Sequence, residues 1–215
     1  MSKCRSSLQA VCVESKDWCL ILVNVYICGG SDGHIARSLE SLNLVTNQWK
    51  SLERMKYKRE EHGFTLGPDG KLYAIAGFSG KHCLGTAERY DIQKNRWEEI
   101  TPLKTPRRSL SAVALPDGIY ALGGYDGENY LSSVEKFDIE KNEWIMIQPL
   151  NYARCTMACV SSLDCNSIYV LGGYNGQPLN IVEKFDTLHN KWQVITPMKY
   201  KRFMHSAVVV SINSN

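Results

Sequence analysis

A unit of about 47 residues is written four times along this 215-residue chain. Its clearest mark is a slot of two small residues that follows a short apolar run. The slot begins at positions 29, 76, 123 and 172, which are 47, 47 and 49 residues apart, and a tryptophan follows each slot at nearly the same step: Trp49, Trp97, Trp144 and Trp192. Paired glycines and an aromatic residue at such a period are typical of a propeller or a solenoid.

Three further residues recur at the same spacing when the repeats are aligned. A tyrosine precedes the slot, a glutamate follows it, and an arginine stands near the start of the next unit. These residues are Tyr26, Tyr73, Tyr120 and Tyr169; Glu40, Glu88, Glu135 and Glu183; and Arg59, Arg107, Arg154 and Arg202. Agreement of several columns makes the repeat a property of nearly the whole chain.

Each unit divides into four predicted strands, a to d. Strand a follows the arginine, strand b ends in the slot, strand c contains the glutamate, and strand d contains the tryptophan. The units occupy residues 5–58, 59–106, 107–153 and 154–201, and residues 202–212 repeat strand a of a further unit. The first unit carries about eight extra residues around positions 14–22, including Trp18, which has no counterpart in the other units.

The segments Tyr120-x-x-Gly123-Gly124, Val134-Glu135-x-Phe137-Asp138 and Asn142-x-Trp144 resemble the Kelch repeat. The resemblance implies an all-β, Kelch-type β-propeller of four four-stranded antiparallel blades plus one extra strand. Because Kelch propellers usually have more than four blades, we expect an incomplete or open propeller, from a fragment or a short product of a longer protein.

Composition argues against several kinds of partner and cofactor and indicates a location for the protein. The formal charge of +3 comes from interspersed acids and bases without a basic stripe, which argues against a nucleic-acid partner. The apolar run at 19–28 is too short for a membrane span. Eight cysteines without a Cys-x-x-Cys pair indicate reduced thiols and a cytoplasmic protein, with the cytoskeleton as a second location. The five histidines lack ligand spacing, so we expect neither a metal nor another cofactor.

The repeated residues have structural interpretations. Paired glycines suit sites where φ is positive or a side chain would collide. The tryptophans are predicted to wedge between blades. One glutamate in every blade lacks the differentiated pair of environments that acid–base catalysis requires, so we interpret the glutamates and arginines as ties between blades.

The loops between strands b and c and the connections from d to the next a emerge on one face of an antiparallel meander. We expect this face to bind a protein client, because Tyr and Arg are enriched at interface hot spots; ordinary solvated loops are the alternative. The candidate binding residues are Ser31, His34, Glu60, Phe78, His82, Arg108, Tyr125, Asp126, Asn129, Tyr174, Asn175 and Phe203.

This face resembles the one by which BTB-Kelch adaptors hold substrates for cullin-based ubiquitin ligases, although these residues include no BTB or BACK region. Actin binding, in a cytoskeletal Kelch protein, is the alternative. An enzyme is a distant third, because a Kelch-propeller copper oxidase needs a Tyr, Cys and His constellation that this sequence does not assemble. We therefore expect a protein without catalytic activity.

Overall fold

The computed structural model describes residues 4, 6–14 and 23–211. In that part of the chain, sixteen strands form four antiparallel sheets of four, and no helix occurs. Each sheet corresponds to one sequence repeat, which confirms the predicted all-β class and the four four-stranded blades. The chain forms two compact units, residues 1–108 and 109–215, and each unit contains two sheets.

The first unit contains the sheets of the first two repeats. Each strand pairs with the next along the chain, and the strands are β1 (Gln9–Glu14), β2 (Val23–Cys28), β3 (Leu39–Asn43), β4 (Gln48–Ser51), β5 (Gly63–Leu66), β6 (Leu72–Ile75), β7 (Ala87–Asp91) and β8 (Arg96–Ile100). β1 lies beside β5, so the two strands a of this unit are neighbours. The predicted insertion, apart from Glu14, lies outside the described residues.

The second unit repeats the same order. Its strands are β9 (Ser111–Leu115), β10 (Gly118–Leu122), β11 (Val134–Asp138), β12 (Glu143–Ile147), β13 (Ala158–Ser161), β14 (Ser167–Leu171), β15 (Val182–Asp186) and β16 (Lys191–Ile195). Here too the strands a are neighbours, because β9 lies beside β13.

A tight turn fixes the register between strands c and d. In the third sheet the Asp138 carboxylate accepts the backbone N–H of Lys141 at 3.0 Å, and Asn142 adopts a left-handed φ of 52°. Asn tolerates this conformation better than other residues with a side chain. The turn sets Phe137 opposite Trp144, and the two ring centroids are 5.0 Å apart.

Each unit has its own apolar core between its two sheets. The core of the first unit contains Tyr26, Cys28, Leu39, Met55, Phe64, Leu72, Ala74 and Tyr90. The core of the second unit contains Val113, Leu115, Tyr120, Leu122, Val134, Leu150, Met157, Ile168, Val170, Phe185 and Trp192. Strand b contributes to both cores, and β10 is buried along its whole length.

The four repeat tryptophans differ in burial. Trp144 and Trp192 are buried, as predicted, with 1% and 5% of their surface exposed. Trp97 is only half-buried, contrary to the prediction, because it packs against the edge of the first core with Tyr90 at 5.2 Å. Its indole N–H donates to the Glu53 carbonyl at 2.8 Å, and that of Trp192 donates to the Gln148 carbonyl at the same distance. Both bonds join a blade to the connection leaving the preceding blade.

His62 occupies an apolar position of the repeat. Three residues after the arginine, the third and fourth units have Leu110 and Met157, which are buried, and half-buried His205 stands at the same position after Arg202. The His62 ring is fully buried, and neither of its nitrogens has a hydrogen-bond partner in the described structure. Burial first, and the nearby Arg59 charge second, lower the pKa of His62 to about 3. The ring is therefore neutral and its polar atoms are unsatisfied.

The predicted extra strand at 202–212 is not formed within the described residues. Arg202 makes one bridge with Leu179, and residues 205–211 join no strand pair. A strand requires a partner, and strand a pairs with strand b in the four complete blades. No strand b follows residues 205–211 in the described chain, which explains the difference.

Candidate functional site

A buried ion pair supports the loops of the second blade. The Arg59 guanidinium donates to the Glu88 carboxylate at 2.7 Å, and both side chains are almost fully buried. Arg59 also donates to the carbonyls of Ala76 at 2.6 Å and Thr86 at 3.0 Å. These carbonyls lie at the end of β6 and just before β7, so the guanidinium closes the base of the loop between them. Removing one partner of such a pair costs about 3–5 kcal/mol, because the other charge is left buried.

The fourth blade repeats this network. Arg154 donates to the Glu183 carboxylate, to the Gly172 carbonyl at 2.9 Å and to the Ile181 carbonyl at 3.1 Å. Glu183 also accepts the backbone N–H of Asn151 at 2.8 Å. Loss of water around the guanidinium lowers the pKa of Arg154, and Glu183 opposes this shift. The guanidinium remains cationic because its ordinary pKa lies far above neutrality.

The prediction that the repeated glutamates are buried near an arginine or backbone donors is confirmed for Glu88 and Glu183, and Glu135 is fully buried as well. The interpretation as ties between blades holds for the glutamates, because Glu88 accepts the backbone N–H of Lys56, a residue of the preceding unit, at 2.8 Å. The ion pair between Arg59 and Glu88 lies within one blade. The glutamate therefore links the loops of its own blade to the connection that leaves the preceding blade.

The backbone of the arginines makes a further tie between neighbouring blades. The second residue of the slot donates its N–H to the carbonyl of the next arginine, as in Gly30 to Arg59 at 3.1 Å and Gly173 to Arg202 at 2.8 Å. A Cβ at Gly172 would lie 2.5 Å from the Arg202 carbonyl oxygen, and the φ of Gly172 is 59°. The glycine slot is therefore explained by close approach and positive φ.

The residue after the slot pairs with the residue after the arginine of the same blade. Glu60 and Phe78 exchange backbone hydrogen bonds of 3.1 and 2.8 Å, and Cys155 and Tyr174 exchange two of 2.9 Å. Each pair joins a b–c loop to the incoming d–a connection. In each unit we call the surface formed by these loops and connections the loop face, and backbone bonds above a buried ion pair hold it in place.

The loop face of the first unit centres on a cation and a ring. The Arg108 guanidinium lies over Phe78, 4.8 Å from the ring centroid, and 3.9 Å from the Glu61 carboxylate. Glu60 is half-buried next to this group. Burial raises the pKa of Glu60, the adjacent Glu61 raises it further, and Arg108 opposes both effects. The structure brings Glu60, Phe78 and Arg108 together as one mixed patch.

The other predicted residues of the first unit lie at or near loop tips. His34 and His82 are exposed, and Ser31 is half-buried and pairs with Ser6. The Ser79 hydroxyl donates to the His82 carbonyl at 3.1 Å, which holds that tip. A cleft of about 460 Å³ opens beside His34, and three cations line it: Arg37, Arg54 and Lys58.

The loop face of the second unit is a row of four aromatic rings. Successive ring centroids are 5.4 Å apart for Tyr125 and Tyr130, 5.9 Å for Tyr130 and Tyr174, and 5.5 Å for Tyr174 and Phe203. The three tyrosines are half-buried, and Phe203 is 44% exposed. The rings come from two b–c loops and from the segment after Arg202, so we call them the aromatic row.

Polar residues shape the loops that carry this row. The Asp126 carboxylate accepts the backbone N–H of Glu128 at 2.8 Å and of Asn129 at 2.7 Å, and these bonds lower its pKa. Asp126 is therefore occupied within its own loop. Asn129 is exposed, and Asn175 donates its backbone N–H to the Gln177 carbonyl at 3.3 Å.

Sequence reasoning missed Tyr130 and Glu61. Tyr130 closes its b–c loop by pairing with Tyr125, and the corresponding closing residues in the other loops are Ile35, Cys83 and Pro178. Because the residue type at this position differs from repeat to repeat, comparison of the repeats does not identify it. In the sequence, Tyr130 is marked only by its place at the end of the loop that begins at Tyr125.

Among the described residues, no group of three or more His, Cys, Asp or Glu side chains could hold a metal ion. None of the described segments is a helix with the length and apolar character required to cross a membrane. In the part of the chain that the structure describes, none of the seven cysteines forms a disulfide.

The four sheets and their repeated loop geometry define a repeat protein of the β-propeller class. Residues 10–214 match the KLHDC2/KLHL20/DRC7 Kelch-repeats domain. The chain therefore belongs to the Kelch-repeat family.

Curated relatives and a solved structure are consistent with this assignment. The chain is 35% identical to Kelch-like protein 40 of Xenopus laevis over 42% of its own length and 15% of that protein. It is 34% identical to human Kelch-like protein 6 over 47% of its length and 17% of that protein. The structure of YjhT superimposes with a TM-score of 0.71 at 15% identity, over 82% of this chain and 63% of the other, which supports the fold. The chain thus spans less than a fifth of these two curated relatives, and the similarity indicates a protein-interaction propeller.

Proposed function

We propose that the loop face binds a protein client and that this chain is the substrate-recognition propeller of a BTB-Kelch adaptor for a cullin-based ubiquitin ligase. The observation that carries the proposal is the pairing of the residue after the slot with the residue after the arginine. This pairing puts the variable positions of two connections side by side, as in Glu60 with Phe78 and Cys155 with Tyr174.

The loop face has the chemistry of a binding surface. Tyrosine and arginine supply large contact area and directional bonds at interface hot spots. Here Arg108, Tyr125 and Tyr174 remain partly accessible and lie on loops whose backbone is already paired. Because the loops are ordered before binding, association loses less conformational entropy.

The ligase role is supported by similarity to proteins named Kelch-like. In this proposal the chain binds the client, and BTB and BACK regions of a longer protein recruit the ligase in the cytoplasm. The chain itself performs no catalysis.

The test is quantitative affinity purification from cell extract with the full chain as bait. The loop-face variant carries Arg108→Glu, Tyr125→Ala and Tyr174→Ala. The matched control carries Glu140→Ala and Lys141→Ala. These two exposed residues lie in the c–d turn between β11 and β12, at the end of the third sheet opposite the loop that carries Tyr125. We expect specific clients to fall by roughly tenfold or more with the loop-face variant and to remain with the control. Circular dichroism should show unchanged strand content in both variants.

The ligase step and the actin alternative have separate readouts. Clients lost by the loop-face variant should accumulate, with less attached ubiquitin, when the cell's cullin ligases are inhibited. Co-sedimentation of the wild-type chain with actin filaments, lost in the loop-face variant, would instead support the cytoskeletal function. Equal recovery of all proteins by the wild type and the loop-face variant would refute client binding on this face.

A further inference from the structure

The aromatic row is continuous across two blades. Tyr125 and Tyr130 come from the loop between β10 and β11, Tyr174 comes from the loop between β14 and β15, and Phe203 follows the last complete blade. The three centroid separations place the outer rings at most about 17 Å apart. An extended polyproline II segment covers that length in about five or six residues, at ~3.1 Å per residue.

Polar groups within the row are uncharged. The Tyr125 hydroxyl donates to the Gly127 carbonyl at 2.9 Å, and the exposed amide of Asn129 lies in the same loop. Tyr174 is half-buried and carries a further hydroxyl. The Tyr125 proton is thus used within its own loop, and a partner at the centre of the row meets ring faces, the neutral Asn129 amide and the Tyr174 hydroxyl.

The two ends of the row have opposite charge. Glu128 is exposed and lies between Tyr125 and Tyr130 in the sequence. At the other end Lys201 and Arg202, both exposed, immediately precede Phe203. Within the described chain none of these three side chains forms a salt bridge, so their charges are available to a partner.

We propose that the aromatic row binds an extended, proline-rich peptide segment of the client, with a basic residue at the Glu128 end and an acidic residue at the Arg202 end. This inference rests on the proposed function and specifies its ligand. Three properties favour proline-rich chemistry. Proline rings pack on aromatic faces, the carbonyls of a polyproline II segment lack internal partners and accept from neutral donors, and its stiffness lowers the entropy lost on binding.

The opposite end charges select one direction of the peptide. A polyproline II segment presents rings and carbonyls similarly in either direction, so the row alone would discriminate weakly. A base near Glu128 and an acid near Arg202 are attracted, so each charged peptide lies in the direction that brings these groups together. The two charge orders should therefore bind in opposite directions with similar affinity, and both should bind more weakly at high salt.

The test measures fluorescence anisotropy of labelled peptides with the full chain. The probes are Lys-Pro-Pro-Pro-Pro-Pro-Glu, the charge-reversed Glu-Pro-Pro-Pro-Pro-Pro-Lys, and Lys-Ala-Ala-Ala-Ala-Ala-Glu. We expect both proline probes to bind and the alanine probe to bind at least about tenfold more weakly, because it loses ring packing and preorganisation. Binding of the alanine probe at equal affinity, or no saturable binding of either proline probe, would overturn the inference.

Three variants locate the binding site. Tyr130→Ala and Phe203→Ala should each weaken the proline probes by roughly fivefold to tenfold, the scale of one aromatic contact. Phe203 is 44% exposed, so its truncation tests the row without disturbing a core. Leu188→Ala, at a 78% exposed apolar residue of the turn between β15 and β16, is the control and should leave the affinity unchanged. Unchanged affinity in both row variants would also overturn the inference.

A charge reversal tests the contribution of the end charges. Glu128→Lys should weaken both proline probes, because each then meets a positive group at both ends of the row, and this loss should shrink at high salt. If the variant leaves the affinity for both probes unchanged, the proposed role of the end charges is wrong. If the purified client depends on Tyr174 but no proline probe binds, client binding on the loop face stands and the proline-rich ligand is rejected.

Discussion

The loop faces of the two units share a backbone and differ in their side chains. In the first unit Glu60 pairs with Phe78, and in the second Cys155 pairs with Tyr174, with hydrogen bonds between 2.8 and 3.1 Å in both. The first face presents Arg108 over Phe78, whereas the second presents the aromatic row. The buried network beneath each loop is conserved between the repeats, so the difference lies in the side chains that the loops display. Repeated residues build the scaffold, and residues outside the repeat pattern determine what it binds.

The largest expected effect comes from the buried arginine of the scaffold. Arg154→Met leaves Glu183 buried without its partner and should lower the free energy of unfolding by about 3–5 kcal/mol. Arg202→Met removes an exposed guanidinium from the same repeat position and should change the free energy of unfolding by less than about 0.5 kcal/mol. Urea titration followed by circular dichroism measures both. Equal losses in the two variants would show that the buried pair does not support the scaffold.

The tryptophan column should give a graded response. Trp192 is buried and Trp49 is 40% exposed, so Trp192→Ala should cost about 3 kcal/mol or more and Trp49→Ala less than about 1 kcal/mol. Differential scanning fluorimetry of the two variants compares them directly. A larger loss for Trp49 would contradict the packing of the second unit.

Replacing His62 by leucine, the residue type of its counterpart Leu110, should have a smaller effect on stability. His62→Leu removes two unsatisfied buried nitrogens and should raise the free energy of unfolding by about 1 kcal/mol at neutral pH. Below the ordinary histidine pKa near 6.5, the unfolded chain takes up a proton that the folded ring, with its pKa of about 3, refuses. His62 therefore makes wild-type stability fall as the pH decreases through this window.

Urea titrations between pH 4 and 7 test this coupling. The loss of stability toward acid should be smaller in His62→Leu than in the wild type. Leu110→Met, a conservative change at the same repeat position, is the control and should leave the pH dependence unchanged. Parallel pH profiles for the wild type and His62→Leu would contradict the burial of a neutral ring.

The sequence was sufficient to predict the four sheets because each strand boundary carries local chemistry. Glycines with positive φ end strand b, and asparagines such as Asn142 adopt left-handed turns between strands c and d. The extra strand at 202–212 was predicted from the same pattern and is absent from the described residues, because a strand also needs a partner. Arg202 is exposed for a related reason, since no glutamate of a following strand c lies in the described chain to bury it.

The candidate site was only partly predictable. The pairing of Glu60 with Phe78 and of Cys155 with Tyr174 follows from repeat positions, and both loops were selected. Tyr130 was missed because loop-closing residues vary in chemistry from blade to blade. Asp126 was selected as a contact, but its carboxylate is occupied by two backbone N–H groups of its own loop. Hydrogen bonds of this kind within a loop depend on the loop conformation, which the sequence pattern does not specify.

Hydrogen–deuterium exchange of the full chain, with and without a client recovered by affinity purification, tests the central claim most directly. The client should protect peptides covering residues 125–130 and 174–178. Peptides covering the opposite a–b turns at 116–118 and 162–166 should exchange at the same rate in both states. Protection confined to the a–b turns, with no change in the b–c loops, would contradict client binding on the loop face.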